Sequence, residues 1–188
     1  QDLGAKHFRV TYKEQKTTRR FANQTLLGAW TLKEGAELNN SIYANHSRQR
    51  LYGSHSGTLS IYETSLNIFG WGAFFSSDYT TADKRLALSA GIRMDGNTYN
   101  RKMRQLWKQF SPRLSASYKL SEQWTLSGSN GLYHQSPPYT ALGYKDNEGQ
   151  YLNKGLKYMQ VFESSLGLDW HLQDRLMVSA EGFFKRYS

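Results

Sequence analysis

The chain of 188 residues has no cysteine, few acidic residues relative to basic ones, and no long apolar run. Without cysteine it has no disulfide scaffold, no cysteine-ligated metal and no thiol nucleophile. Only 38% of its residues are hydrophobic and the mean hydropathy is −0.70, so no segment approaches the roughly 18 apolar residues of a membrane helix. A strand that crosses a membrane needs only about 9–11 residues, of which alternate ones face lipid. The absences therefore exclude helical membrane proteins and leave membrane barrels open.

The net charge of +9 invites a role in nucleic-acid binding, but the basic residues are spread along the whole chain. The densest groups, at Lys16–Arg20 and Arg101–Arg104, fall in segments that we predict to be turns or loops. We interpret them as solvated loop surface and predict no nucleic-acid partner. The aromatic content of 14% is high for so polar a chain, whereas disordered segments have few aromatic residues.

Strict alternation of apolar and polar residues is the main structural signal. From Phe110 to Leu120, one set of alternate residues is apolar and the other contains serine, arginine and lysine. Successive side chains of a strand point to opposite faces, so this pattern predicts a sheet with one apolar and one wet face. The same pattern recurs from Leu86 to Asp95, after Trp124, from Phe162 to Leu172 and from Leu176 to Lys185. It predicts an all-β, antiparallel fold.

The connections between these strands differ in length in a regular way. We predict short turns at Lys33–Gly35, Asp78–Lys84, Ser121–Gln123 and Gln173–Asp174, and long polar segments at Ser47–Thr58, Gly96–Gln109 and Gln135–Lys157. Short turns at one end and long loops at the other are typical of an up-and-down transmembrane β-barrel. We predict about nine strands in a partial barrel. They start near Lys6, Phe21, Ala36, Asn67, Lys84, Phe110, Gln123, Met159 and Arg175. No linker divides the chain, so we treat residues 1–188 as one barrel segment.

Three tryptophans, Trp30, Trp124 and Trp170, lie within a few residues of predicted short turns. These positions fit an aromatic belt at a membrane interface, and they fit equally the buried core of a soluble β-sandwich.

Three short elements in the second half of the chain resemble the barrel of TonB-dependent receptors, particularly those of the Bacteroidetes type. The first is a Gly-x-Arg-x-Asp element before a long loop, and the second is Ser-Pro-Arg-Leu at the start of the next strand. The third is Gly-x-Tyr-x-Gln-x-Pro at the end of the strand after that. They are matched here by Gly91, Arg93 and Asp95, by Ser111–Leu114, and by Gly131, Tyr133, Gln135 and Pro137. The resemblance covers Leu86 to Tyr187 and is looser over Gln1 to Thr81.

The resemblance implies a receptor in the outer membrane of a Gram-negative bacterium, with outer-membrane lipid around its barrel. Such a receptor imports a scarce solute, such as a metal chelate, cobalamin or a glycan. The energy comes from the TonB system, which acts on a plug inside a barrel of about 22 strands. We expect this chain to be an interior piece of such a barrel, without the plug. Its two sheet edges predict that the isolated segment is unstable or pairs with another copy.

Two sets of residues are candidates for function. On the predicted inward face, charged side chains line the lumen: Arg93, Asp95, Arg113, Lys119, Glu163, Asp169 and Glu181. We expect Arg93, Arg113 and Lys119 to face Glu163, Asp169 and Glu181 as a wall-stabilising network. At the entry to the longest loop, Tyr133, His134, Gln135, Tyr139 and Tyr144 are candidates for ligand contact, since loops on rigid scaffolds often bind ligands. Pro137 and Pro138 end the strand there.

Catalysis finds little support in the sequence. The five histidines are scattered and have no helical metal-ligand spacing, although His46 and His55 could hold a metal ion on one loop. The serines lack the context of a nucleophile elbow, and no glycine-rich loop fits a phosphate. We predict no enzyme, no cofactor and no metal site, with a hydrolase at the edge of the lumen as a minor alternative.

Two other classes stay open from the sequence. A passive porin-like channel has the same rhythm but lacks the Gly-x-Arg-x-Asp and Ser-Pro-Arg-Leu elements. A soluble β-sandwich that binds carbohydrate or another ligand buries its apolar face against a second sheet instead of lipid.

Overall fold

The structure is a computed structural model that describes residues 8–52, 57–146, 148–172 and 176–188. The described residues form one antiparallel sheet of eight strands, in which each strand pairs with its neighbours in sequence. The strands are β1 (Phe8–Leu27), β2 (Trp30–Tyr52), β3 (Gly57–Thr80), β4 (Leu86–Asn97), β5 (Ser111–Lys119), β6 (Trp124–Gln135), β7 (Met159–Leu172) and β8 (Leu176–Tyr187). The predicted all-β, up-and-down architecture is confirmed. The predicted count of about nine strands is wrong.

The first two predicted strands are a single strand, β1, and this accounts for the difference. The hairpin to β2 turns at Gly28-Ala29, where Leu27 pairs with Trp30. Gly28 has φ +61°, as the first central residue of a tight two-residue hairpin turn requires. The turn predicted at Lys33–Gly35 is therefore wrong, and so is the loop predicted at Lys16–Arg20, which lies inside β1.

Gly35 suggests a turn in the sequence, but the fold requires glycine there because a side chain would not fit. A Cβ on Gly35 would lie 2.7 Å from the ring of Phe74 and would overlap the carbonyl oxygen of Phe21. The residue lets an aromatic ring from β3 lie flat across β2.

At the end with long connections, β1, β2 and β3 run on beyond the end of β4 as a three-stranded extension. The predicted loop at Ser47–Thr58 is largely strand, with Tyr52 opposite Gly57. The sequence predicts a loop at Ser47–Thr58 because this stretch is polar at both sets of alternate positions, without the apolar alternation of a half-buried strand. The long segments between β4 and β5 and between β6 and β7 are confirmed as loops. Their described residues include a 3₁₀ turn (Leu106–Gln109), a short helix, α1 (Tyr139–Leu142), and an isolated bridge between Lys145 and Tyr151.

At the opposite end, the turn predicted at Ser121–Gln123 is confirmed between β5 and β6. The turn predicted at Asp78–Lys84 begins later, because β3 continues to Thr80. The turn predicted at Gln173–Asp174 lies outside the described residues.

The two faces of the sheet differ in composition. On one face, Leu88, Ala116 and Leu166 lie in the same row across the strands. Trp124 stacks on Trp170 with 5.7 Å between ring centroids, beside the short-turn end. We call this the apolar face, and the other, which carries the serines and charged residues, the polar face.

Within the described ranges, no second sheet covers the apolar face, which contradicts the β-sandwich alternative. None of the helices in those ranges is long and apolar enough to cross a membrane.

Candidate functional site

A small hydrophobic core forms on the polar face at the long-loop end. Tyr43 of β2 and Leu66 and Ile68 of β3 are buried there by Met103 and Leu142, which come from the two long loops. Met103 and Leu142 are both 0% exposed, the deepest hydrophobic side chains described. The loops therefore fold back over the wall of the sheet instead of projecting away from it.

The two loops also contact each other, and we call residues 98–110, 136–146 and 148–158 together the loop cap. The hydroxyl of Tyr99 donates to the carbonyl oxygens of Leu142 at 2.8 Å and Asn153 at 3.0 Å. The side-chain amide of Asn100 donates to the carbonyl oxygen of Leu156 at 2.7 Å. These contacts cross between the loops, so the loop cap is one packed unit.

The loop cap also pairs the edge of β3 that β4 does not reach. The last pair between the two strands is Gly70 with Asn97. Beyond it, the backbone N–H of Phe69 donates to Thr98 Oγ1 at 3.0 Å, and the Thr98 N–H donates back to the Phe69 carbonyl at 2.9 Å. The hydroxyl of Tyr151 donates to the carbonyl of Ser65 at 2.7 Å. Backbone groups that would otherwise form an open sheet edge are satisfied by the cap.

A cavity of about 300 Å³ lies between the loop cap and the polar face, and we call it the wall pocket. Most of its lining is polar. The lining residues are Lys16, Glu37, Asn39, Ser41, Ile68, Gly70, Trp71, Arg93, Asp95, Gly96, Asn97, His134, Gln135, Ser136, Tyr139 and Tyr158.

An arginine held by two carboxylates forms one side of the wall pocket. Arg93 donates to Asp95 through Nη2 at 2.7 Å and Nε at 2.9 Å, and its Nη2 lies 3.9 Å from an oxygen of Glu37. Gly72 of β3 lies between the strands that carry these residues. A Cβ on Gly72 would lie 2.5 Å from Asp95 Oδ1 and 3.1 Å from Arg93 Nη2. The missing side chain is what lets the ion pair lie across β3.

In the next row of the wall, a polar side chain again lies against a glycine of β3, and here the pair is Asn39 and Gly70. A Cβ on Gly70 would lie 2.6 Å from the side-chain oxygen of Asn39, so the amide of Asn39 fits over bare backbone. One row further out, Ser41 is 2% exposed, and its hydroxyl oxygen has no hydrogen-bond partner among the described residues. An unsatisfied buried hydroxyl is costly, so a group that enters the wall pocket and hydrogen-bonds to Ser41 would be stabilised there.

Tyr158 closes the wall pocket from the loop cap. The side-chain amide of Asn97 donates to its hydroxyl oxygen at 3.0 Å. Burial, helped by the negative charge of Asp95, raises the pKa of Tyr158 to about 12. Tyr158 is therefore a neutral phenol at physiological pH, with a proton to donate.

The comparison with protein families decides what kind of sheet this is. Residues 4–188 match the family model described as TonB dependent receptor-like, beta-barrel. The chain belongs to this family. Members of the TonB-dependent receptor family are outer-membrane proteins of Gram-negative bacteria, and they are transporters rather than enzymes. No curated protein sequence gives a significant match to the chain.

Solved structures of TonB-dependent receptors share the fold. The copper transporter OprC matches with a TM-score of 0.69 at 16% identity, over 95% of this chain and 31% of that protein. The FpvAI–pyocin S2 complex matches with a TM-score of 0.66 at 16% identity, over 96% of this chain and 26% of that one. The siderophore receptor PirA from Pseudomonas aeruginosa matches with a TM-score of 0.54 at 12% identity, over 95% and 40%. The TonB-dependent receptor segment thus spans less than half the length of these proteins.

Three of the five residues predicted to contact ligand line the wall pocket, namely His134, Gln135 and Tyr139. Pro112 has no partner in β6, so β5 and β6 separate above it. In that region His134 reaches the hydroxyl of Ser111 at 3.0 Å.

The other two predicted ligand residues lie elsewhere. Tyr133 packs over Gly131, and the guanidinium of Arg113 lies 4.4 Å from the centre of its ring. Tyr144 is half-exposed on the loop cap, with its ring 6.4 Å from that of Tyr62.

Of the seven charged residues predicted to line the lumen, Arg93 and Asp95 line the wall pocket. In the described part of the chain the expected pairing of the three basic with the three acidic residues does not occur. Arg93 binds its own strand neighbour Asp95, and Glu163 lies 3.3 Å from Lys185 of β8. The register places Lys119 and Asp169 two strands apart in one row near the short turns, while Glu181 lies opposite Gly167.

Sequence reasoning missed much of the wall pocket. From the sequence we predict a strand that starts near Ala36 but assign no faces to it, so Glu37, Asn39 and Ser41 are not identified as one polar face. The alternation of Ala36, Leu38 and Ile42 with these polar residues was the signal that could have found them.

The predicted absence of a metal site stays a prediction. In the described ranges no three histidine or acidic side chains form a group that could hold a metal ion. The Nδ1 atom of His46 lies 2.5 Å from a carboxylate oxygen of Glu63, and His55 lies outside the described residues.

Proposed function

We propose that this chain is a wall segment of a receptor that imports a scarce solute across the outer membrane with energy from TonB. In this proposal the apolar face contacts outer-membrane lipid, the polar face lines the lumen, and the long-loop end faces the exterior. Family membership, the contrast between the two faces and the difference in connection length support the assignment.

The complete barrel requires more strands than this segment has. The eight strands form an open sheet, with β1 and β8 as its two edges in the described residues. We infer that further strands close the barrel, that residues 1–188 contribute only to its wall, and that a plug elsewhere in the protein contacts TonB. An isolated segment with two open edges is expected to aggregate or to pair with a second copy.

The observation that carries the proposal is the wall pocket. A concave site whose polar groups converge is the usual form of a small-molecule site. This one lies on the polar face directly beneath the loop cap, where a solute arriving from outside would first meet the wall. The predicted contacts His134, Gln135 and Tyr139 belong to it, and we propose that they bind solute.

The test is uptake by the receptor that contains this segment, in cells with and without TonB. Asn39→Trp should fill the wall pocket, and Leu152→Trp on an exposed part of the loop cap is the control. The expected result is TonB-dependent uptake that falls at least tenfold in Asn39→Trp at equal surface abundance and is unchanged in Leu152→Trp.

Two results would contradict the proposal. Uptake that persists without TonB would identify a passive porin-like channel. Uptake that is unchanged in Asn39→Trp would place the solute site away from the wall pocket.

A further inference from the structure

The charges around the wall pocket balance. Lys16 and Arg93 supply two positive charges, and Glu37 and Asp95 supply two negative ones. Arg93 is already committed to both carboxylates. An anionic ligand would have to compete with two carboxylates for the arginine, and the repulsion between them would weaken its binding.

The remaining polar groups of the wall pocket are neutral and of mixed character. Amides donate and accept, and hydroxyls do the same. They belong to Asn39, Asn97, Gln135, Ser41, Ser136, Tyr139 and Tyr158. The ring of His134 also lines the wall pocket, and its Nδ1 is already hydrogen-bonded to the hydroxyl of Ser111. A ligand that matches these groups needs several donors and acceptors close together and no net charge.

Two hydroxyls in the wall pocket have unused hydrogen-bonding capacity. The oxygen of Ser41 is buried with no partner among the described residues. Tyr158 accepts from Asn97, and within the same residues its own proton has no acceptor. Because these groups come from the wall and from the loop cap, a ligand that satisfies both lies between the two.

We propose that the wall pocket binds an uncharged, polyhydroxylated ring, that is, one unit of a neutral sugar, in preference to an anionic metal chelate. The inference rests on the proposed function and selects one solute class for its site. The volume of about 300 Å³ is at the lower end of the range for small-molecule sites and fits a single ring. Hydroxyls on such a ring donate and accept in the way that Ser41, Tyr158 and the amides require.

The experiment is calorimetric binding to the purified full-length receptor in detergent. The probes are an array of neutral oligosaccharides, two ferric chelates of the catecholate and citrate type, and cyanocobalamin. Ser41→Ala and Tyr158→Phe each remove one hydroxyl from the wall pocket. Ser129→Ala is the matched control, because Ser129 bonds only to Ser165 on the same polar face and does not line the wall pocket.

The expected result is binding of a neutral oligosaccharide that weakens about tenfold in Ser41→Ala and in Tyr158→Phe and is unchanged in Ser129→Ala. Binding of a ferric chelate or cobalamin that weakens in the same two variants would overturn the sugar assignment and leave the proposed function standing. A sugar affinity that is unchanged in both variants would overturn the inference, as would the absence of any sugar binding. Failure of the proposed function would appear separately, as loss of TonB dependence in the uptake assay.

Discussion

Replacing Gly72 by alanine should abolish solute uptake and destabilise the barrel wall by about 2 kcal/mol. The added Cβ would lie 2.5 Å from Asp95 Oδ1, so the carboxylate must move, and Arg93 then loses its main partner. A charged group left partly buried without its partner is among the few single changes with large effects. The measurement is chemical unfolding of the full-length receptor in detergent, together with uptake in cells.

Gly128→Ala is the matched control for this change. Gly128 is also a strand glycine, but its added Cβ would make only ordinary contacts, at 3.5 Å or more. We expect it to keep uptake and stability. If Gly72→Ala behaved like Gly128→Ala, the ion pair across β3 would have no part in holding the wall pocket together.

Leu142→Ala should detach the loop cap from the wall while leaving the strands in place. The side chain is fully buried and is one of the five residues that form the buried core in the described part of the chain, so its truncation should cost about 3 kcal/mol of local stability. The free energy is lost from the cap, because the sheet hydrogen bonds do not depend on this contact. Hydrogen exchange should show faster exchange over the loop cap, with β5 and β6 protected as before.

Leu152→Ala separates loss of packing from a general effect of shortening a loop leucine. Leu152 lies in the same loop and is 57% exposed, so its truncation should leave exchange unchanged. Equal exchange in both variants would show that the loop cap does not dock through Leu142.

The second half of the fold was predictable because each short strand ends in a local signal. In β5 the apolar alternation runs the whole length, and in β6 it is marked by Trp124, Leu126 and Leu132. Polar turn residues or prolines end both strands. Local sequence therefore contains both the period and the boundaries of these strands.

The first half was not predictable in the same way. The strands β2 and β3 have 23 and 24 residues, and around Ser47–Thr58 the sequence has polar residues at both sets of alternate positions. Gly35 signals a turn in the sequence, whereas in the fold it accommodates a ring from a neighbouring strand. That function depends on register between strands, which a single sequence does not record.

The candidate site shows the same division. Arg93 and Asp95 were identified as wall charges, and His134, Gln135 and Tyr139 as ligand contacts, from separate local patterns. Only the folding of the loops onto the wall reveals that these residues share one cavity. Long-range packing of this kind depends on contacts such as that of Leu142, which looks like an ordinary loop leucine in the sequence.

The central claim is that one face of this sheet contacts lipid and the other faces water, and labelling of adjacent cysteines tests it most directly. Leu114 and Ser115 are neighbours on β5 with side chains on opposite faces, and this chain has no cysteine of its own. Each would be replaced by cysteine in the full-length receptor, and intact outer membranes would be treated with a membrane-impermeant or a lipid-soluble maleimide. We expect the water-soluble reagent to modify the cysteine at 115 and to spare that at 114, whereas the lipid-soluble reagent also reaches position 114. Equal modification of both positions by the water-soluble reagent would contradict the central claim.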